Sequence, residues 1–176
     1  DADATVHRLM ARGGAAVATV ARAFPGVLRD GAIDRQALGR RVFGDPASRR
    51  RLERILHPLV RADERRFLRA QRLRRAPIAV LDIPLLFETG GQRRVDAVVT
   101  MTVSAFIQRQ RVMRRPGMSR DTFAAILARQ VPDCRRRRDA DFVVQSGLGR
   151  GVTFRHLRRI VRRLGESDRR FPAERT

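Results

Sequence analysis

The side chains able to do chemistry in this chain are carboxylates and guanidinium groups, with little else. The chain opens DADATVHRLM, so Asp1 and Asp3 stand two positions apart at the head of a helix-like pattern. A carboxylate there can accept the unpaired first-turn N–H groups of a helix. A third acid, Asp82, follows an apolar run in VLDIPLLFETG, which Glu88 closes. Each of the 39 basic side chains is Arg, and the sequence has no Lys, Asn, Tyr or Trp. The missing Lys excludes one site outright. A phosphate loop of the form GxxxxGK[ST] needs its Lys to reach the β and γ phosphates. No such loop lies within these 176 residues, and any nucleotide site they form is lysine-free or incomplete. Cys134 is the one thiol, so it makes no internal disulfide and has no metal-ligand partners at zinc spacing.

The net charge of +21 points towards a polyanion. The Arg residues are spread along the whole chain, however, with one dense run at 135–138, and aromatics do not interleave with them. Lys, Asn and Tyr have AT-rich codons, so a GC-rich genome accounts for the bias. Nucleic acid is therefore not the expected partner. No apolar run nears the length of a membrane span, no secretory signal is evident, and a lone cysteine fits a reducing cytoplasm.

The elements that would position these residues follow from periodicity. The length suits one domain with room for a smaller insertion. Helices are predicted over 4–12, stopped by Gly13 and Gly14, and over 15–23, broken at FPG. VLRDGAIDR reads as a turn, with Asp34 capping the helix RQALGRRVF. Asp45 caps the next helix, with Pro46 at its first position. Pro58 should break or restart that helix after His57, and the restarted helix runs to about Leu73. The apolar runs at 77–87, 96–103 and 141–147 read as strands buried on both faces, the first followed by a turn at Pro84. Ser104 and Ser119 open two helices. A last helix, 152–164, aligns Phe154, Leu157, Ile160, Val161 and Leu164, and the tail 165–176 looks disordered. Strands alternating with helices argue for an α/β fold with a parallel sheet.

The segments DAD, GAIDRQALGRRVFGDPASRRRLERILHPLV, VLDIPLLFETG, QRQRVMRRPGMS, ILARQVPDCRRRRDADFVV and GLG occur in the order seen in dephospho-CoA kinases. The chain resembles that family over about residues 1–160. The resemblance implies a three-layer, P-loop NTPase-like parallel sheet. It would carry a helical CoA-binding region at about 4–73, core strands at about 77–103 and 141–146, and a lid at about 108–138. It also implies the reaction, ATP-dependent phosphorylation of the 3′-hydroxyl of dephospho-CoA to give CoA in the cytoplasm, with Mg²⁺. Family members begin with a strand and a loop close to GGIGSGKS, and neither occurs here, so this chain alone is expected to be inactive. A non-catalytic CoA-binding remnant and a basic nucleic-acid module are the alternatives.

Residue by residue, the resemblance makes Asp3 the catalytic carboxylate that orients the hydroxyl or accepts its proton. The competing reading of Asp3 is a helix cap. Gln108, Arg111 and Arg115 align with the lid, and Arg136 falls where the family has a basic residue near adenine and phosphates. Asp82 stands where an acid would help hold Mg²⁺, directly or through water. His57, Pro84, Leu85, Leu86 and Phe87 would line the dephospho-CoA pocket. Glu88 reads as an exposed helix-start residue, and His7 and His156 as surface or packing residues. Gln145 departs from the Asp or Asn usual at its position. The resemblance leaves oligomeric state open.

Overall fold

The computed structural model describes residues 1–166. The chain divides into two compact units, Asp1–Pro84 and Leu85 onward.

In the first unit, α1 (Ala2–Met10) starts two residues earlier than expected, because Asp1 is its cap. The chain then reverses at Gly13 and Gly14. Any Cβ on Gly14 would lie 2.2 Å from the Leu9 carbonyl oxygen, so only glycine allows this close passage. α2 (Val17–Ala23) follows. The expected turn is a small hairpin, in which β1 (Leu28–Arg29) pairs antiparallel with β2 (Ala32–Ile33). Its two central residues, Asp30 and Gly31, have φ of +49° and +78°, the doubly positive turn that suits strand twist. α3 (Arg35–Val42) is capped by Asp34, and α4 (Pro46–Leu73) by Asp45 with Pro46 first, as expected. Val20 and Val27 are fully buried, and Met10, Phe24, Ile33, Leu38 and Leu56 close the core around them.

Two expectations fail in this unit. Pro58 does not break α4, which runs unbroken for 28 residues. Proline removes one N–H, and the carbonyl it leaves behind belongs to Arg54. Both residues are exposed, so water can satisfy that carbonyl. Leu56 and Val60, on either side of Pro58, are buried and hold the helix in place. The run from 77 to 83 is not a strand but irregular, with Val80 73% exposed, whereas the turn expected at Pro84 is present. The N–H of Ala2 donates to the Asp82 carbonyl at 2.9 Å, but a strand needs a row of such partners.

In the second unit, β3 (Val99–Thr102) and β4 (Phe142–Gln145) pair in parallel, Val99 opposite Phe142 and Thr102 opposite Gln145. They are joined through α5 (Ala105–Met113), α6 (Arg120–Leu127) and α7 (Asp133–Asp139). Ser104 and Ser119 cap α5 and α6 as expected, whereas α7, lying in the Arg run, was not anticipated. The strands were expected to be buried on both faces. Among the described residues only one face is covered: Thr100 and Thr102 are buried, while Val99, Met101 and Val143 remain 38–45% exposed. α8 (Arg150–Glu166) runs two residues past the expected end, and its Phe154 and Val161 are more than half exposed. The rest of the expected disordered tail, 167–176, lies outside the described residues.

Candidate functional site

In the first unit the expected catalytic carboxylate lies at the head of α1. The Asp1 carboxylate accepts the Ala4 N–H at 3.1 Å and its carbonyl accepts the Thr5 N–H, so Asp1 is the cap. Asp3 lies within the first turn, exposed, with no hydrogen bond or ion pair to its carboxylate among the described residues. The Ala2–Asp82 backbone bond brings Asp82 to the same helix end. Asp1 and Asp3 thus stand at the helix end where the dipole favours negative charge, with the Asp82 backbone alongside.

α1 is anchored by a contact that sequence reasoning missed. Thr5 Oγ1 donates to Asp63 Oδ2 at 3.1 Å, Arg8 pairs with the same oxygen, and Arg66 lies 3.5 Å from Oδ1. Thr5 is buried, so this polar clamp fixes α1 against α4. The signal was available only as i, i+3 spacing of Thr5 and Arg8, which is common on any helix. His57 is an exposed residue in mid-α4, not a helix end, and Pro84 is exposed.

In the second unit, Leu85, Leu86 and Phe87 lie in successive turns closed by Thr89, Gly90 and Gly91 N–H groups. Glu88 is not an exposed helix start. It is half-buried, and its carboxylate accepts the Val131 N–H at 2.8 Å, tying the turns to the segment before α7.

The three arginines expected in the lid have different surroundings. Arg111 donates to the Ser146 carbonyl at 3.1 Å and helps line an open cavity of about 860 Å³, with Gly149, Thr153 and Phe154. This cavity sits past the carboxyl end of β4 at the start of α8, where α/β sheets bind ligands. Arg136 pairs with Asp133 at 3.0 Å, and the other Asp133 oxygen accepts from Thr102 Oγ1 at 2.9 Å. Its Nε is buried without a partner. Arg115 is exposed in the turn after α5 and makes no ion pair among the described residues. Asp133, Thr102 and Ser146 were not singled out from sequence, because their partners are distant in the chain.

The residues present suit a magnesium ion held mainly by phosphate and water. Asp82 offers one exposed carboxylate, and Mg²⁺ bound with nucleotide takes only one or two carboxylates. Among the described residues no three His, Cys, Asp or Glu side chains gather as a self-sufficient metal cage. The guanidinium groups suit phosphate oxygens, but with no Lys in the sequence nothing here forms a P-loop.

Comparison with known proteins bears on the same segments. The family model for dephospho-CoA kinase matches residues 1–149. The dephospho-CoA kinase of Paramagnetospirillum magneticum is 60% identical over 137 residues, covering 78% of this chain and 65% of that protein. That of Rhodospirillum rubrum is 56% identical over 160 residues, covering 90% of this chain and 75% of that protein. The chain therefore spans about two thirds to three quarters of these relatives. Among solved structures, TT1252 from Thermus thermophilus is 33% identical with a TM-score of 0.75, over 93% of this chain and 82% of that one. Dephospho-CoA kinase from Campylobacter jejuni superposes with a TM-score of 0.65 at 22% identity, over 95% and 84%, which bears on the fold alone. The α/β fold with its parallel strand pair agrees with these neighbours, and no helix among the described residues is long and apolar enough to cross a membrane. On the family match and these identities, the chain belongs to the dephospho-CoA kinase family.

Proposed function

We propose that this chain serves the ATP-dependent phosphorylation of the 3′-hydroxyl of dephospho-CoA, in the cytoplasm, with Asp3 as the carboxylate that orients the hydroxyl and takes its proton. The observation that carries this is the division of labour at the head of α1. Asp1 satisfies the helix, and Asp3 is left exposed and unpaired among the described residues. A carboxylate used as a cap is a poor base, because its lone pairs are committed and its charged form is stabilised. Arg115, with no carboxylate partner, is the guanidinium readiest to meet charge on the transferring phosphoryl group. Arg111 and Arg136 already have partners, and reach phosphate only with their remaining N–H groups. Asp82 would help hold Mg²⁺, which supplies charge neutralisation on the phosphates. His57 and the 84–87 segment would face the acceptor. Residues 1–164 would carry the kinase domain, with a lid at about 108–138, and holding the β and γ phosphates requires a phosphate loop that residues 1–176 do not contain.

The test is CoA formation from dephospho-CoA and ATP, followed chromatographically, with protein that carries a phosphate loop ahead of Asp1. CoA is the expected product. ATP binding without any CoA formation would overturn the reading.

A further inference from the structure

We propose that His7 and Arg35 form an anion-binding pair that holds a phosphate of the acceptor nucleotide one helical turn from Asp3. The inference rests on the reading of Asp3 as the residue that meets the acceptor hydroxyl. Arg35 Nη1 lies 3.2 Å from His7 Nδ1. A guanidinium only donates, so Nδ1 accepts, and the imidazole carries its proton on Nε2. That leaves an outward N–H on His7 and the remaining N–H groups of Arg35, both on exposed residues.

Among the described residues the side-chain partner of Arg35 is His7, not a carboxylate. Its neighbour Asp34 has its carboxylate engaged by the N–H groups of Gln36 and Ala37. The acid nearest to His7 on its own helix face is Asp3, at i−4, with about 6 Å between such Cβ atoms. Arg8, the next residue along, is drawn to Asp63 on α4. One exposed face of α1 thus presents a carboxylate, then an imidazole N–H and a guanidinium one turn further on. A nucleotide carries a hydroxyl and a 5′-phosphate on the same ribose, separated by roughly the length of one such turn. The carboxylate suits the hydroxyl, and the cationic pair suits the phosphate.

Isothermal titration of dephospho-CoA and, separately, of ATP into protein that carries a phosphate loop ahead of Asp1 tests this. Arg35→Ala should weaken dephospho-CoA binding on the order of tenfold or more, as expected for a charge-assisted hydrogen bond. His7→Ala should weaken it less. Arg40→Ala, the same charge loss elsewhere on α3, should leave it unchanged, and ATP affinity should stay constant in all three. Arg35→Gln keeps a donor for Nδ1 but no charge, and should bind as poorly as Arg35→Ala. Wild-type affinity in Arg35→Gln would make Arg35 a support for His7 alone and overturn the proposal, as would equal losses in Arg35→Ala and Arg40→Ala. A wild-type chain that binds ATP but not dephospho-CoA would overturn the proposed function, and the pair with it.

Discussion

Asp1 and Asp3 differ by two positions and by what their carboxylates touch. Asp1→Ala removes the acceptor of the Ala4 N–H, and should cost about 0.5–2 kcal/mol of stability, read from a urea midpoint. Asp3→Asn removes no contact to its carboxylate among the described residues, so the midpoint should hold. In protein carrying the phosphate loop, its single-turnover rate should fall by roughly 10² to 10⁴, the usual worth of a positioned base. A lost midpoint with an unchanged rate would return Asp3 to a structural role. Arg115 makes its own prediction. Arg115→Ala should lower kcat by on the order of 10²-fold and move the KM for dephospho-CoA much less, because it meets charge that develops in the transition state. A change confined to KM would instead make it a ground-state contact.

At the scale of elements, caps were legible in the sequence and the course of α4 was not. Asp34 and Asp45 bond N–H groups two and three residues ahead, and a local contact is written in local sequence. The Ala37 N–H chiefly holds Asp34 below the ordinary carboxylate range, and Ser48 followed by the Ala47 N–H does so for Asp45. A depressed pKa contributes stability above the unfolded value, about 3.9, and that stability is lost as pH falls through the folded value. Urea midpoints should therefore drop more steeply between about pH 4 and 2 in the wild type than in Asp34→Asn/Asp45→Asn, whose amides cap without titrating. Equal slopes would show that the caps do not carry the acid sensitivity. Pro58 is the opposite case. Its local rule says break, yet burial of Leu56 and Val60 carries the helix through. Pro58→Ala restores the N–H facing the Arg54 carbonyl and should raise stability by about 1–3 kcal/mol. A lower midpoint would mean that the proline matches a bend that α4 requires.

At the scale of the whole molecule, phosphate chemistry depends on residues from many segments. Residues 1–176 include Asp3, Asp82, Arg111, Arg115 and Arg136 but no Lys. On their own they should form no measurable CoA from ATP and dephospho-CoA, while a strand and GxxxxGK[ST] loop joined ahead of Asp1 should confer turnover. Robust turnover by residues 1–176 alone would show that arginines can replace the loop. The charge of +21 also implies that any anion binds with a salt-sensitive background, so each affinity comparison belongs at one ionic strength.

The family was legible in the order of the segments, and the helix starts were legible in Asp34, Asp45, Ser104 and Ser119, because both are properties of neighbouring residues. The 77–87 run shows where that ends. Its composition is that of a strand, but a strand exists only beside partner backbone, and apolar periodicity does not record whether a partner lies alongside. The use of each charged group was decided in the same way. Only the fold brings Asp63 to Arg8, Ser146 to Arg111, Asp133 to Thr102, and Arg35 to His7. In a chain with 39 arginines, the sequence by itself determined which groups could bind phosphate. Long-range packing decided which guanidinium groups are held by partners and which stay exposed to a ligand, because a hydrogen bond depends on distance in space rather than along the chain.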